Sequence, residues 1–184
     1  MTRILAYTRT AIALHWLMAL LVFVTFPVGL VGHEMALSPD KLRMMSYHKW
    51  LGVTVFILVM LRLLWRASHK PAPMLATIPH WQRVAANAVH VLLYALLFAI
   101  PLSGWLMSSA KGFQTVYLGL LPLPDLLAKD KVLGDALGAL HQVLNIALLL
   151  LVVSHVAAAL KHHFIDRDGT LARMFPFLER SSSK

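Results

Sequence analysis

The sequence has 184 residues, of which 59% are hydrophobic and 14% charged. Soluble domains average about 45–50% apolar and about 25% charged, so this composition excludes an ordinary soluble enzyme and a disordered chain. It indicates an all-α integral membrane protein. Seventeen Lys and Arg against eight Asp and Glu leave a net charge of +9. Such a surplus marks nucleic-acid binding when it lines one face; here it sorts by membrane side, and no nucleic-acid partner is expected. The chain has no cysteine. That excludes disulfides, iron–sulfur clusters, thiol catalysis and covalent haem attachment through C-x-x-C-H.

In chain order, the first uncharged stretch is 10–33, between Arg9 and Glu34. It exceeds the roughly 20 residues that cross a hydrocarbon core. Arg3 and Arg9 before it suggest a signal peptide, but the run is too long for an h-region and His15-Trp16 interrupts it. It is read as a retained span. The second span, 46–66, is uncharged only over 50–61. Lys49 and the Arg62–Arg66 end can snorkel to the interfaces, and Trp50 and Trp65 sit where interfacial aromatics belong. Uncharged stretches at 84–110 and 136–160 supply the third and fourth spans. The spacing thus predicts one domain, residues 1–184, a four-helix bundle with spans at about 10–33, 46–66, 84–108 and 137–160. Residues 33–46 and 111–135 read as loops on one side, the second broken by Leu-Pro-Leu-Pro-Asp; residues 67–83, with Pro71, Pro73 and Pro79, read as the loop on the other.

Four spans put both termini on one side. That side carries a net +8, including Arg3, Lys70, Arg180 and Lys184, whereas the opposite side carries +1. The positive-inside rule then expects both termini in the cytoplasm.

Ten histidines are unusual in so apolar a chain. Ionisable groups inside a membrane are costly and face the bundle interior. His15 lies near the terminus side of span 1 and His48 at the far end of span 2; His141 and His155 lie at the two ends of span 4. Fourteen residues separate His141 from His155, about four turns, so they share a face roughly 21 Å apart. His155 is level with His15, and His141 with His48. Two imidazoles on facing helices can clamp a haem iron from both sides. Zinc is the competing metal, but it wants about four ligands, commonly with Cys or carboxylate, and the spans hold neither. Fourteen residues after His15 and His90 stand Gly29 and Gly104, which leave room for a flat macrocycle or for close helix packing. Fourteen after His48 stands Arg62, suited to a haem propionate or to snorkelling. His90, at the depth of His15, is read as a hydrogen-bond partner for a propionate or a quinone carbonyl, and as the alternative ligand to His15. His162 and His163 fall past the last span; His33, His69 and His80 fall in loops and receive no role.

The chain resembles the bacterial di-haem cytochrome b561 proteins. The likeness rests on His15-Trp16, on His48 opening and Arg62 closing span 2, and on His90-x-x-x-Tyr94. Its most specific segment runs from His141 through His155-Val-Ala-Ala-Ala-Leu-Lys-His162-His163-Phe to Asp168-Gly-Thr-Leu-Ala-Arg173-Met-Phe-Pro176. The resemblance implies two non-covalent haem b groups with axial ligands His15, His48, His141 and His155, matching the pairing by depth. It implies one-electron transfer with ubiquinone, with superoxide oxidation coupled to ubiquinone reduction as the expected reaction. Lys41, Arg43, Lys49 and Lys111 form a modest cationic rim for an anion, although nearby acids almost cancel it. The other readings are an electron-carrying subunit that docks on another redox protein, and a histidine-based metal transporter.

Overall fold

The computed structural model describes residues 7–69, 73, 75 and 78–175. Arg3, Lys70, Pro71, Pro176, Arg180 and Lys184, named in the charge and motif readings above, lie outside these residues. Four helices dominate: α1 (Arg9–Glu34), α2 (Pro39–Ser68), α3 (His80–Ala110) and α4 (Lys131–Lys161). All four are long and apolar enough to cross a membrane. Large apolar side chains such as Phe23 and Leu150, each 64% exposed, cover the exterior. An outside this apolar is what lipid requires, because a helix satisfies its own backbone and leaves its side chains to meet the acyl chains.

The helix starts follow local capping chemistry. Thr8 Oγ1 accepts from the Ala11 N–H, Ser38 Oγ from Lys41 and the Asp130 carboxylate from Leu133. Pro39 occupies the first turn of α2, where its missing N–H costs nothing. The caps at Ser38 and Asp130 explain two of the places where the structure differs from the spans read by hydropathy, and α3 starts after Pro79 without a side-chain cap. α2 begins at Pro39 rather than 46, α3 at His80 rather than 84 and α4 at Lys131 rather than 137. Hydropathy locates the bilayer crossing, whereas the caps set the helix ends, and three helices project beyond the apolar core. His33 and His80 therefore sit in helices, not loops. The long connection after α3 carries a small antiparallel hairpin, β1 (Val116–Tyr117) and β2 (Leu121–Pro122).

α1 packs on α2, α2 on α3 and α3 on α4. No Cα of α1 lies within 8 Å of a Cα of α4. The tight core is small: Met18, Val55 and Val59, with Leu21, Val22, Leu58, Leu63 and Leu97 against them. The bundle is thus two helical hairpins joined through α2 and α3, with α1 and α4 facing each other at a distance that side chains must bridge.

The end bearing the termini is closed by the segment after α4. The helix runs into one π turn, His162–Asp166, then reverses through Arg167 and Gly169, at φ 52 and 75. His162 Nδ1 lies 2.6 Å from Asp168 Oδ2 and 3.1 Å from Asp166 Oδ2. Arg173, only 5% exposed, donates to the Pro73 carbonyl at 2.8 Å and lies 5.4 Å over the Tyr7 ring. Trp16 Nε1 donates to the Met174 carbonyl at 2.8 Å, and Trp65 Nε1 to Thr8 Oγ1 at 3.1 Å. The residues that carried the family likeness at the end of the chain thus tie α4 to α1 and to the α2–α3 connection.

Partial burial pushes the Asp168 carboxyl up, but hydrogen bonds from Thr170 and the contact with His162 outweigh it and hold the group below its ordinary value of 3.8. A carboxyl depressed on folding stabilises the folded state above its unfolded pKa, and the contribution disappears as pH falls through the folded one. Hydrogen exchange of residues 168–175, corrected for intrinsic rates, is therefore expected to stay protected from pH 7 to 5 and to loosen only below about 3.8. Asp168→Asn should loosen it already at pH 7; unchanged protection in that variant would show that Asp168 does not hold the turn.

Candidate metal centres

The helices bring the intramembrane histidines together in two groups, one at each end of the bundle. At the hairpin end, the ring centres of His48 on α2 and His141 on α4 lie 6.3 Å apart with planes at 90°. His48 Nδ1 is 3.1 Å from the Thr25 carbonyl of α1. His141 Nδ1 is 3.0 Å from the Ile100 carbonyl of α3 and 3.0 Å from Ser103 Oγ. A carbonyl can only accept, so each Nδ1 carries the proton and each Nε2 keeps its lone pair. A backbone carbonyl is a usual acceptor for the other ring N–H of a metal-binding imidazole.

Glycine makes both approaches possible. A Cβ on Gly29 would stand 2.5 Å from His48 Cε1, and one on Gly104 3.1 Å from His141 Cε1. Each glycine is four residues after the accepting carbonyl, so carbonyl and notch lie on one face, one turn apart. Helix-interior prolines, Pro27 and Pro101, fall within the same turns. The space at these glycines is taken by imidazole from the neighbouring helix.

At the terminus end, His15 on α1 and His155 on α4 have ring centres 6.2 Å apart at 66°. His90 on α3 lies closer to His155, 5.4 Å between centres. Trp16 stands edge-on to His15 at 5.3 Å. Arg62 Nε donates to the Tyr94 hydroxyl at 2.8 Å, and the Arg62 and Arg66 guanidinium carbons lie 5.7 and 5.9 Å from the Tyr94 ring centre. Among the described residues, no carboxylate lies within 4.0 Å of either arginine.

These spacings test the donor sets. A metal–imidazole bond of about 2.0 Å plus about 1.1 Å from nitrogen to ring centre puts two in-line rings about 6.2–6.4 Å apart. His15–His155 and His48–His141 meet that spacing; His90–His155 is too close for it. A tetrahedral metal fares worse. Among the described residues, three donors of the His, Cys, Asp or Glu type come within 4.8 Å only at His162, Asp166 and Asp168, outside the spans. Lys161 already pairs with that Asp166 at 2.6 Å.

Sequence reasoning missed the carbonyls of Thr25 and Ile100 and the hydroxyl of Ser103. A backbone acceptor has no side-chain signature; its trace in the sequence is the glycine four residues later.

Four apolar helices with facing imidazoles at two levels define a membrane cytochrome. The family model for prokaryotic cytochrome b561 matches residues 6–177, and the chain belongs to that family. It is 38% identical over 178 residues to cytochrome b561 homolog 2 of Escherichia coli K12, covering 96% of this chain and 93% of that protein. It is 29% identical to cytochrome b561 homolog 1 of the same organism, over 92% of this chain and 97% of that one. A probable superoxide oxidase, CybB of Yersinia pestis, is 28% identical over 92% of this chain and 96% of its own. The protein is a multi-pass bacterial membrane protein of a family that carries b-type haem in electron transport.

Gly29→Ala should lower the haem retained per chain, because its Cβ meets the His48 ring at 2.5 Å; Gly104→Ala, at 3.1 Å, should be milder. Pyridine haemochrome content and reduced-minus-oxidised spectra check this. Wild-type content in Gly29→Ala would show that the ring has room to move.

Proposed function

We propose that this protein is a di-haem b cytochrome that oxidises superoxide and reduces ubiquinone. The observation that carries the reading is the pair of imidazole couples, 6.2 and 6.3 Å between centres, at two levels of one bundle. His48 and His141 would hold one haem and His15 and His155 the other. Bound haem supplies reversible one-electron chemistry, and two histidines on each iron leave no open position for activating oxygen. Arg62, held by Tyr94 and without a carboxylate partner among the described residues, suits a propionate. His90, too close to His155 for an in-line pair, suits a hydrogen bond to a propionate or a quinone carbonyl.

The reaction balances as two superoxide anions and one ubiquinone with two protons giving two dioxygen and one ubiquinol. The relative described as a probable superoxide oxidase supports this choice of donor. So does the distribution of charge at the hairpin end. Lys111 pairs with Asp135 at 3.1 Å, and Arg43 lies 4.0 Å from Asp40. Lys41 and Lys49 instead donate to the carbonyls of His33, Met35 and Phe113, which leaves their charge uncancelled by a contacting carboxylate. Together with Lys129 and Lys131, which form no ion pair among the described residues, they are available to attract an anion. The positive-inside rule supports both termini in the cytoplasm, with the hairpin end on the opposite side.

Haem quantified against protein should give two per chain. His48→Ala and His141→Ala should each lose one haem, His15→Ala and His155→Ala the other, and His90→Ala should keep both. One haem in the native chain would break the pairing. Pulsed superoxide with ubiquinone present should reduce the haem and accumulate one quinol per two superoxide. Lys41→Gln with Lys49→Gln should slow the superoxide step by about tenfold at low ionic strength, and less in high salt. An unchanged haem spectrum after the pulse would rule out superoxide as donor.

A further inference from the structure

The connection after α3 is the most apolar non-helical segment of the described chain. Residues 112–124 contain no charged side chain. Leu118, Leu120 and Leu121 are 53%, 85% and 58% exposed on the hairpin, and Phe113 before it is 58% exposed. Leu118 also adopts φ 54, a left-handed conformation that favours glycine or asparagine. Its side chain lines one cleft with Val28, Tyr47, Trp50, Leu51 and Thr54.

The hairpin does not stand above the bundle; it lies down the side of α2. Lys49 Nζ donates to the Phe113 carbonyl at 2.9 Å and Trp50 Nε1 to the Val116 carbonyl at 2.7 Å. The Tyr117 hydroxyl meets Thr54 Oγ1 at 2.9 Å. Thr54 is six residues, about 9 Å, further into the bundle than His48, and it belongs to the uncharged 50–61 stretch of α2. The hairpin therefore shares its depth with the apolar part of a membrane-crossing helix. It is also continuous with that helix's exposed apolar surface at Tyr47, itself 45% exposed.

Non-helical backbone at such depth must find its hydrogen bonds in the protein, and much of this backbone does. The carbonyls of Phe113, Val116, Leu123 and Pro124 accept from side chains: Lys49 and Ser108, Trp50, Gln114 and Trp105 respectively. The carbonyls of Thr115 and Tyr117 accept from the N–H groups of Leu123 and Leu120. Pro122 and Pro124 have no N–H to satisfy.

We propose that residues 113–124 are a re-entrant hairpin seated in the interfacial layer of the bilayer, with Leu118, Leu120 and Leu121 against lipid acyl chains. The lack of charge, the depth beside α2, the exposed leucines and the side-chain-capped carbonyls all fit lipid as the occupant.

The absence of cysteine makes the test direct. Single substitutions Leu118→Cys, Leu120→Cys and Leu121→Cys are labelled with an environment-sensitive fluorophore in the haem-loaded full chain. The labelled protein is placed in phosphatidylcholine–phosphatidylglycerol vesicles. Asp125→Cys serves as the aqueous reference and Ile146→Cys, on the lipid-facing side of α4, as the membrane reference. Labels on the hairpin are expected to emit to the blue of the Asp125→Cys label, to be quenched by shallow nitroxide lipids and to resist iodide. Iodide quenching equal to that at position 125 would overturn the proposal and place the hairpin in water. Resistance to both quenchers would also overturn it and assign the surface to a protein partner.

Discussion

The structure depends on one constraint: an imidazole N–H inside a membrane must find an acceptor. His48 and His141 meet it with the same device. Each donates Nδ1–H to a carbonyl of the adjacent helix, and each fits because a glycine one turn further on has no Cβ. An unpaired polar group in hydrocarbon costs several kcal/mol, so this contact orients the ring as well as satisfying it. The Thr25 oxygen has a second lone pair that the helix does not use. At Ile100 the Ser103 hydroxyl also donates to the carbonyl, and the His141 N–H is shared between that carbonyl and Ser103 Oγ. Two antiparallel hairpins, α1–α2 and α3–α4, have arrived at the same arrangement: carbonyl, proline within the turn, glycine, and imidazole from across the interface.

That device accounts for the shape of the bundle. α2 comes close to α1, and α4 to α3, at the positions where glycine permits it. α1 and α4 do not approach each other, and the imidazoles of His15 and His155 extend between them. The buried cluster of Met18, Val55 and Val59 lies on α1 and α2, and α3 and α4 add the scattered buried residues Ile100, Ala110 and Leu148 among those described. Polar contacts tie the ends. Arg173, Trp16 and Trp65 tie the terminus end through backbone and hydroxyl acceptors, and Lys49, Trp50 and Trp105 tie the hairpin end through carbonyls. Tryptophan and lysine, which the sequence places at the interfaces, here bond irregular backbone to the helices.

Much of this was legible in the sequence because hydropathy and helical period are strong, local signals. Four spans follow from the uncharged stretches, and the fourteen-residue interval puts His141 and His155 on one face. The depth of His15 and His48 then implied which rings face each other, and the structure brings those rings together. The helix ends were less legible: a hydropathy window marks lipid, while Ser38, Pro39 and Asp130 mark helix starts. The hairpin leaves no strand signal, since a two-residue strand has too few positions to show alternation. Acceptors on the backbone left no letter in the sequence. Gly29 and Gly104 were noticed, but their partners lie on other helices, and an interval along one helix cannot name a residue on the next.

The two levels are chemically unequal, and the inequality follows from particular residues. At the hairpin end, imidazole N–H groups donate to carbonyls, which makes the opposite nitrogens more electron-rich and favours a more oxidised partner. At the terminus end, Arg62 and Arg66 gather around Tyr94 without a contacting carboxylate among the described residues, and positive charge favours the electron-richer form of whatever sits beside it. On the proposed function the arginines make the terminus end the easier place to keep an electron, while at the hairpin end the N–H donation to carbonyls is opposed by the charge of Lys49 next to His48. Each influence comes from groups outside the pairs of facing imidazoles: two carbonyls and a lysine at one end, two guanidinium groups at the other.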